Sequence, residues 1–254
     1  MNSLSELKIF VKMNMTDIIK TCMIYNKDYF SYLCYRNTFS SISEVITHMK
    51  DLDQELSGTN MQNLIAFNHT YLIITEAVAE QLNKAYFSDN SLMEEFDIQF
   101  ARYYFDALKS YIDNTKVPEA WKILFDLCKK NSSYQFVYMA LGVNAHVNND
   151  LSQSLHDIIT DMDYKDDFDK VNILIRQQIP LVVASLHEQS LILETSKNVL
   201  RPIYAIGLYL LIKNWRQNAW DTYIYLKKES ISIETIEKNA KTIALRIARL
   251  HKLI

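Results

Sequence analysis

Glycine, proline and cysteine are all scarce in this chain, with three of each in 254 residues. Strands connected by tight turns need glycine and proline for the turns, so a β-rich or α/β architecture would have too little punctuation here. The chain therefore reads as all-α. Three cysteines (Cys22, Cys34 and Cys128) make no close pair and no metal-type spacing, which excludes a disulfide framework and suggests reduced thiols in a cytoplasmic protein.

Charge of one sign is also lacking. The formal net charge is −3 and the isoelectric point about 6.1, so neither nucleic acid nor an anionic membrane surface is expected as a partner. The longest uncharged apolar run, "IYAIGLYLLI" (203–212), is about half the ~20 residues of a membrane span. The opening "MNSLSELKIFVKMNMTDIIK" mixes charged and apolar residues and lacks the form of a signal peptide. A cytoplasmic protein without a membrane span is the expectation.

What is abundant is apolar surface, at 49% of residues. Apolar periodicity predicts helices over 15–35, 41–55, 61–86, 91–113, 118–130, 133–149, 152–160, 167–195, 201–227 and 233–252, in one globular domain covering 1–254. Pro118 suits a first helical turn, whereas Pro180 should kink or split 167–195. The segment 133–149 is apolar all round, as a buried central helix would be. Within it, Gly142 would let a neighbour's backbone approach. The Tyr-rich helical segment within 1–40 has enough aromatic surface to cover the core or pack on a second copy, so a homo-oligomer stays open.

Several polar residues fall on apolar faces. On 91–113, Asp97 lies with Ala101, Tyr104 and Leu108, away from Glu95, Arg102 and Asp106. A buried carboxylate is costly unless paired, so Asp97 should have a partner across the core. On 61–86, Asn68 and Thr75 share the apolar face, while His69 lies opposite with Glu76 and Glu80 and reads as solvated. The central helix ends in "NAHVNND" (144–150), which places Asn144, His146, Asn148 and Asp150 where Asp97, Asn68 and Thr75 would satisfy them.

These blocks resemble a known family. "LGVNAHVNNDL" (141–151) is similar to the NAHIN-type signature of an all-helical family catalogued as domain of unknown function 5995. "FNHTYLIITEAV" (67–78), "DIQFARYYFDAL" (97–108), "VPEAWKILF" (117–125), "DFDKVN" (167–172) and "WRQNAW" (215–220) resemble its other blocks in order. The resemblance spans about 60–225. It implies a helical fold and importance for Asn144, His146, Asn148 and Asp150, but no activity.

Three readings follow from the residues. In the first, the Asn/His/Asp cluster is a structural polar network of a non-catalytic binding or scaffolding protein. In the second, Asp97 orients His146 as general base, and Asn68, Thr75, Tyr104, Asn144 and Asn148 bind a small apolar or cyclic molecule. No phosphate-binding loop is present, so nucleotide-independent hydrolysis or isomerisation fits. In the third, His146, Asp150 and Asp97 hold a divalent metal.

Overall fold

In the computed structural model, the described residues are 33, 36–130, 134–160, 164–187 and 197–250. They form helices α1 (Ile42–Leu56), α2 (Ile65–Leu82), α3 (Asn90–Ile112), α4 (Glu119–Lys130), α5 (Gln135–Asn144), α6 (Leu151–Ile158), α7 (Lys165–His187), α8 (Lys197–Lys227) and α9 (Ile233–Leu250). No strand occurs among them. The architecture is all-α, as expected. The predicted helix at 15–35 and the Tyr-rich N-terminal segment lie almost wholly outside the described residues, as do Cys22 and Cys34; Cys128 is buried and free.

The two helices expected at 133–149 and 152–160 are one continuous rod. Instead of a break, α5 passes into a π-helical turn, Ala145–Asp150, and this runs directly into α6. Within the turn the Leu151 N–H bonds to the His146 carbonyl five residues back, the wider ring that defines a π-helix. Polar side chains at the junction bond to the rod's own backbone. Gln153 Nε2 donates to the Asn149 carbonyl at 2.7 Å, and Ser154 Oγ donates to the Asp150 carbonyl at 3.0 Å.

This rod is the centre of the fold. The α5 part packs against α2, α4 and α9, the π turn against α3, α8 and α9, and α6 against α3 and α8. One contiguous apolar core runs from Phe39 to Ala244. Gly142 does allow a close approach, but by a side chain: a Cβ there would lie 2.3 Å from Phe67 Cγ. Pro180 lies inside α7 without splitting it. Pro180 and Arg176, whose carbonyl loses its helical donor, are both exposed, so water can take the place of the missing N–H.

With so few glycines, the helices close by other means. Ala85, Asn114 and Glu229 adopt left-handed conformations with φ of 51°, 54° and 53°. In each case the next residue's N–H reaches five residues back, from Tyr86 to Gln81 at 3.2 Å, Thr115 to Ser110 at 2.9 Å and Ser230 to Tyr225 at 2.9 Å. These are Schellman caps on residues other than glycine. Helix starts follow ordinary chemistry: Ser41 Oγ accepts from Glu44 N at 3.3 Å and Asp89 Oδ1 from Leu92 N at 2.9 Å, each supplying an orphan donor with an acceptor.

Candidate functional site

The π turn places His146 and Asp150 on one face of the rod. His146 Nδ1 and Asp150 Oδ2 are 3.1 Å apart, and both side chains are buried. Two further donors reach the carboxylate: Trp121 Nε1 on α4 at 2.9 Å and Asn149 Nδ2 at 2.8 Å. Burial pushes the Asp150 carboxyl up from its ordinary value, against the pull of these donors. Burial likewise holds the His146 imidazole below its ordinary value, partly offset by Asp150. Because Trp121 and Asn149 already donate to Asp150, we assign the proton of the His146–Asp150 hydrogen bond to His146 Nδ1. On that tautomer His146 Nε2 is a lone-pair acceptor, and it has no hydrogen-bond partner among the described residues.

An aromatic shell holds the ring. Phe100 stacks on it with centroids 3.5 Å apart and planes 10° from parallel. Tyr71 lies edge-on at 4.4 Å and Phe67 at 5.7 Å. These residues enclose one side of a cavity of about 70 Å³, also walled by Asp97 from α3 and Arg216 from α8.

Asp97 is buried as expected, but its predicted role is not the one the geometry gives it. The carboxylate that orients His146 is Asp150, on the same helix. Asp97 Oδ2 has no hydrogen-bond partner among the described residues. Burial pushes the Asp97 carboxyl up to about 7, with Arg216 pulling it down and Glu94 pushing it further up. The Arg216 guanidinium is anchored elsewhere, by Nε to Asn172 Oδ1 at 2.8 Å and by Nη2 to the Phe168 carbonyl at 2.8 Å. Its burial lowers it to about 10.

The expected binding residues are not at this cavity. Asn68 turns towards α1, donating to the Met49 carbonyl at 2.9 Å and to Asp53 Oδ1 at 2.7 Å. Thr75 Oγ1 donates to the Tyr71 carbonyl of its own helix at 3.1 Å. Tyr104 stacks on Trp121 at 5.1 Å, behind the wall. Asn144 Nδ2 donates to the Ala240 carbonyl of α9 at 3.0 Å, and Asn148 Nδ2 donates to Asn144 Oδ1 at 3.0 Å. Both sit on the far side of the rod. The proposed metal set of His146, Asp150 and Asp97 is not assembled: Asp150 is spent on His146, Trp121 and Asn149. Among the described residues no three His, Cys, Asp or Glu side chains are placed to hold a metal ion.

Arg216, Phe100 and Asn149 were missed from sequence. Arg216 carried a signal, because it lies in register with the buried Leu208, Ile212, Ala219, Trp220 and Tyr223 of α8. The same reasoning that singled out Asp97 would have found it. The "DFDKVN" block is also explained. Asp167 accepts the Ser88 N–H at 2.8 Å and the Asp89 N–H at 3.1 Å just before α3, and Asn172 holds Arg216.

Fold and site together define an all-helical protein built around a central rod whose π turn carries a buried His–Asp pair. The chain belongs to the Family of unknown function (DUF5995), which it matches over residues 42–254. The match extends past residue 225, where the sequence resemblance stopped, and so takes in α9. No curated protein and no solved structure matches the chain. Among the described residues no helix is long and apolar enough to cross a membrane.

Proposed function

We propose that the cavity binds a small, mainly apolar molecule and that His146 acts there as a general base in nucleotide-independent isomerisation or hydrolysis. The observation that carries this reading is His146, which lines the cavity and whose buried Nε2 has no hydrogen-bond partner among the described residues while Nδ1 is fixed by Asp150. A buried acceptor with no partner costs stability, so a fold that keeps one in a cavity suggests a use for it. Proton transfer to Nε2 would place the positive charge beside the Asp150 carboxylate. Asp97 stands on the same cavity and, with a pKa of about 7, is suited to return or accept a proton near neutral pH. A base and an acid on one cavity favour isomerisation over hydrolysis.

A second reading is favoured by the three donors on Asp150, which tie α4 to the rod as a structural network would. His146→Gln separates the two, because Gln can hydrogen-bond but cannot shuttle a proton at neutral pH. For the functional reading, a thermal-shift screen against a metabolite library gives wild-type hits that are lost in the variant. The variant itself melts at or above the wild-type temperature, since functional sites hold groups at a cost to the fold. A strongly destabilised variant together with no wild-type hit would end that reading and leave the network.

A further inference from the structure

The far side of the π turn carries a second, larger cavity. Asn148 lines a groove of about 390 Å³ formed with α8 and α9, within the size range of pockets that take whole small molecules. Part of its lining is apolar: Ala219 and Ile236 are buried, and Ile243 is half-buried. The polar part consists of three carboxamides (Asn148, Asn218 and Asn239) and two hydroxyls (Thr222 and Thr242), and Arg246 completes it. Among the described residues no carboxylate lines the groove.

The Asn148 amide is held in place. Its Nδ2 donates to Asn144 Oδ1, and Asn144 is itself fixed to the Ala240 carbonyl. This fixes the direction of Asn148 Oδ1, which accepts no side-chain hydrogen bond among the described residues. Arg246 makes no ion pair among the described residues. The residue types favour one ligand chemistry. A carboxamide offers a donor and an acceptor together, as a sugar hydroxyl requires of its partner. Apolar side chains suit the C–H face of a sugar ring, and a guanidinium suits a carboxylate or a phosphate.

We propose that this groove binds a small polyhydroxylated molecule carrying one anionic group, a sugar acid or a sugar phosphate. The site uses none of the residues of the His146 cavity and stands independently of the reading given for it.

Titration calorimetry on the full chain with glucuronate, glucose 6-phosphate, glucose and inorganic phosphate tests the assignment. At least one of the two charged sugars should bind more tightly than both glucose and phosphate, and the tighter of the two identifies the anionic group. Arg246→Gln should weaken the charged sugar by about tenfold or more, the effect of losing a charge-assisted bond, and leave glucose unchanged. Asn239→Ala should weaken every sugar and leave phosphate alone. Both side chains are exposed, and an unchanged melting curve verifies that each variant is folded. The proposal is overturned if no probe binds at millimolar concentration, or if phosphate or glucose alone binds as tightly as the charged sugars. Insensitivity of binding to both substitutions overturns it equally.

Discussion

Phe100 lies flat on His146, with ring centroids 3.5 Å apart and planes 10° from parallel. With Asp150 at Nδ1 and Tyr71 at the edge, Nε2 is the ring nitrogen with no hydrogen-bond partner among the described residues, on a residue that lines the cavity.

Burial therefore separates two histidines that are close to each other in composition of neighbours, each beside an aspartate. The His146 side chain is 3% exposed and the His69 side chain 45% exposed. Diethyl pyrocarbonate should modify His69 readily in the folded protein and leave His146 intact until unfolding, as read by peptide mass spectrometry. Equal modification of both in native protein would contradict the placement.

Asp97 gives a pH dependence with a definite sign. Its carboxyl is raised from 3.8 to about 7 in the fold. Below the lower value both folded and unfolded chains hold the proton. Between the two values only the folded chain does, so this group's contribution to stability falls as pH rises through the window and is fully lost above about 7. Asp97→Asn removes that loss. The variant's stability relative to wild type should grow from about pH 4 to about pH 7, by on the order of 4 kcal/mol at most. A difference independent of pH in denaturant titrations would refute it.

Gly142 and Phe67 are matched in shape. Gly142→Ala forces a methyl into the Phe67 ring, which is 1% exposed and has little room to move. Overpacking of this kind costs about 1–3 kcal/mol. Adding Phe67→Leu to the variant should cost less than the two single changes together, because the smaller side chain makes room for the methyl. Strict additivity in a double-mutant cycle would show that the contact is not what limits residue 142.

The opposite substitution should help at the helix ends. Ala85 and Glu229 hold left-handed conformations that cost a residue with a Cβ about 1 kcal/mol or more. Ala85→Gly and Glu229→Gly should each raise stability by roughly 0.5–1 kcal/mol, after allowing for the greater freedom glycine gains in the unfolded chain. Asn114→Gly should do less, since asparagine tolerates this region. Thermal melts of the three variants check the order, and a loss of stability in Ala85→Gly would count against the cap geometry.

Much of the fold follows from the sequence by itself. The shortage of glycine and proline determined the all-α class, and the all-round apolar pattern of 133–149 determined which helix lies at the centre. The position of Asp97 on the apolar face of its helix determined its burial, and the opposite position of His69 its partial exposure. These are one-helix properties: a periodicity of about 3.6 residues and the cost of desolvating charge decide them before any neighbour is known.

Which polar group meets which was decided only in the tertiary structure. The four-residue spacing of His146 and Asp150 was visible and read as a metal spacing, whereas the indole of Trp121 from another helix turns Asp150 into the orienting carboxylate of His146. Asn68, equally buried, rotates away to Asp53 because α1 offers it a carbonyl and a carboxylate there. Asn144 and Asn148 serve the face towards α9, and Arg216 reaches the cavity from α8 across a long separation in sequence. Such pairings depend on the rotation and offset of helices against each other. So does the cavity, which is the space left where side chains from several helices fail to fill a common volume, and no single stretch of sequence carries that sum.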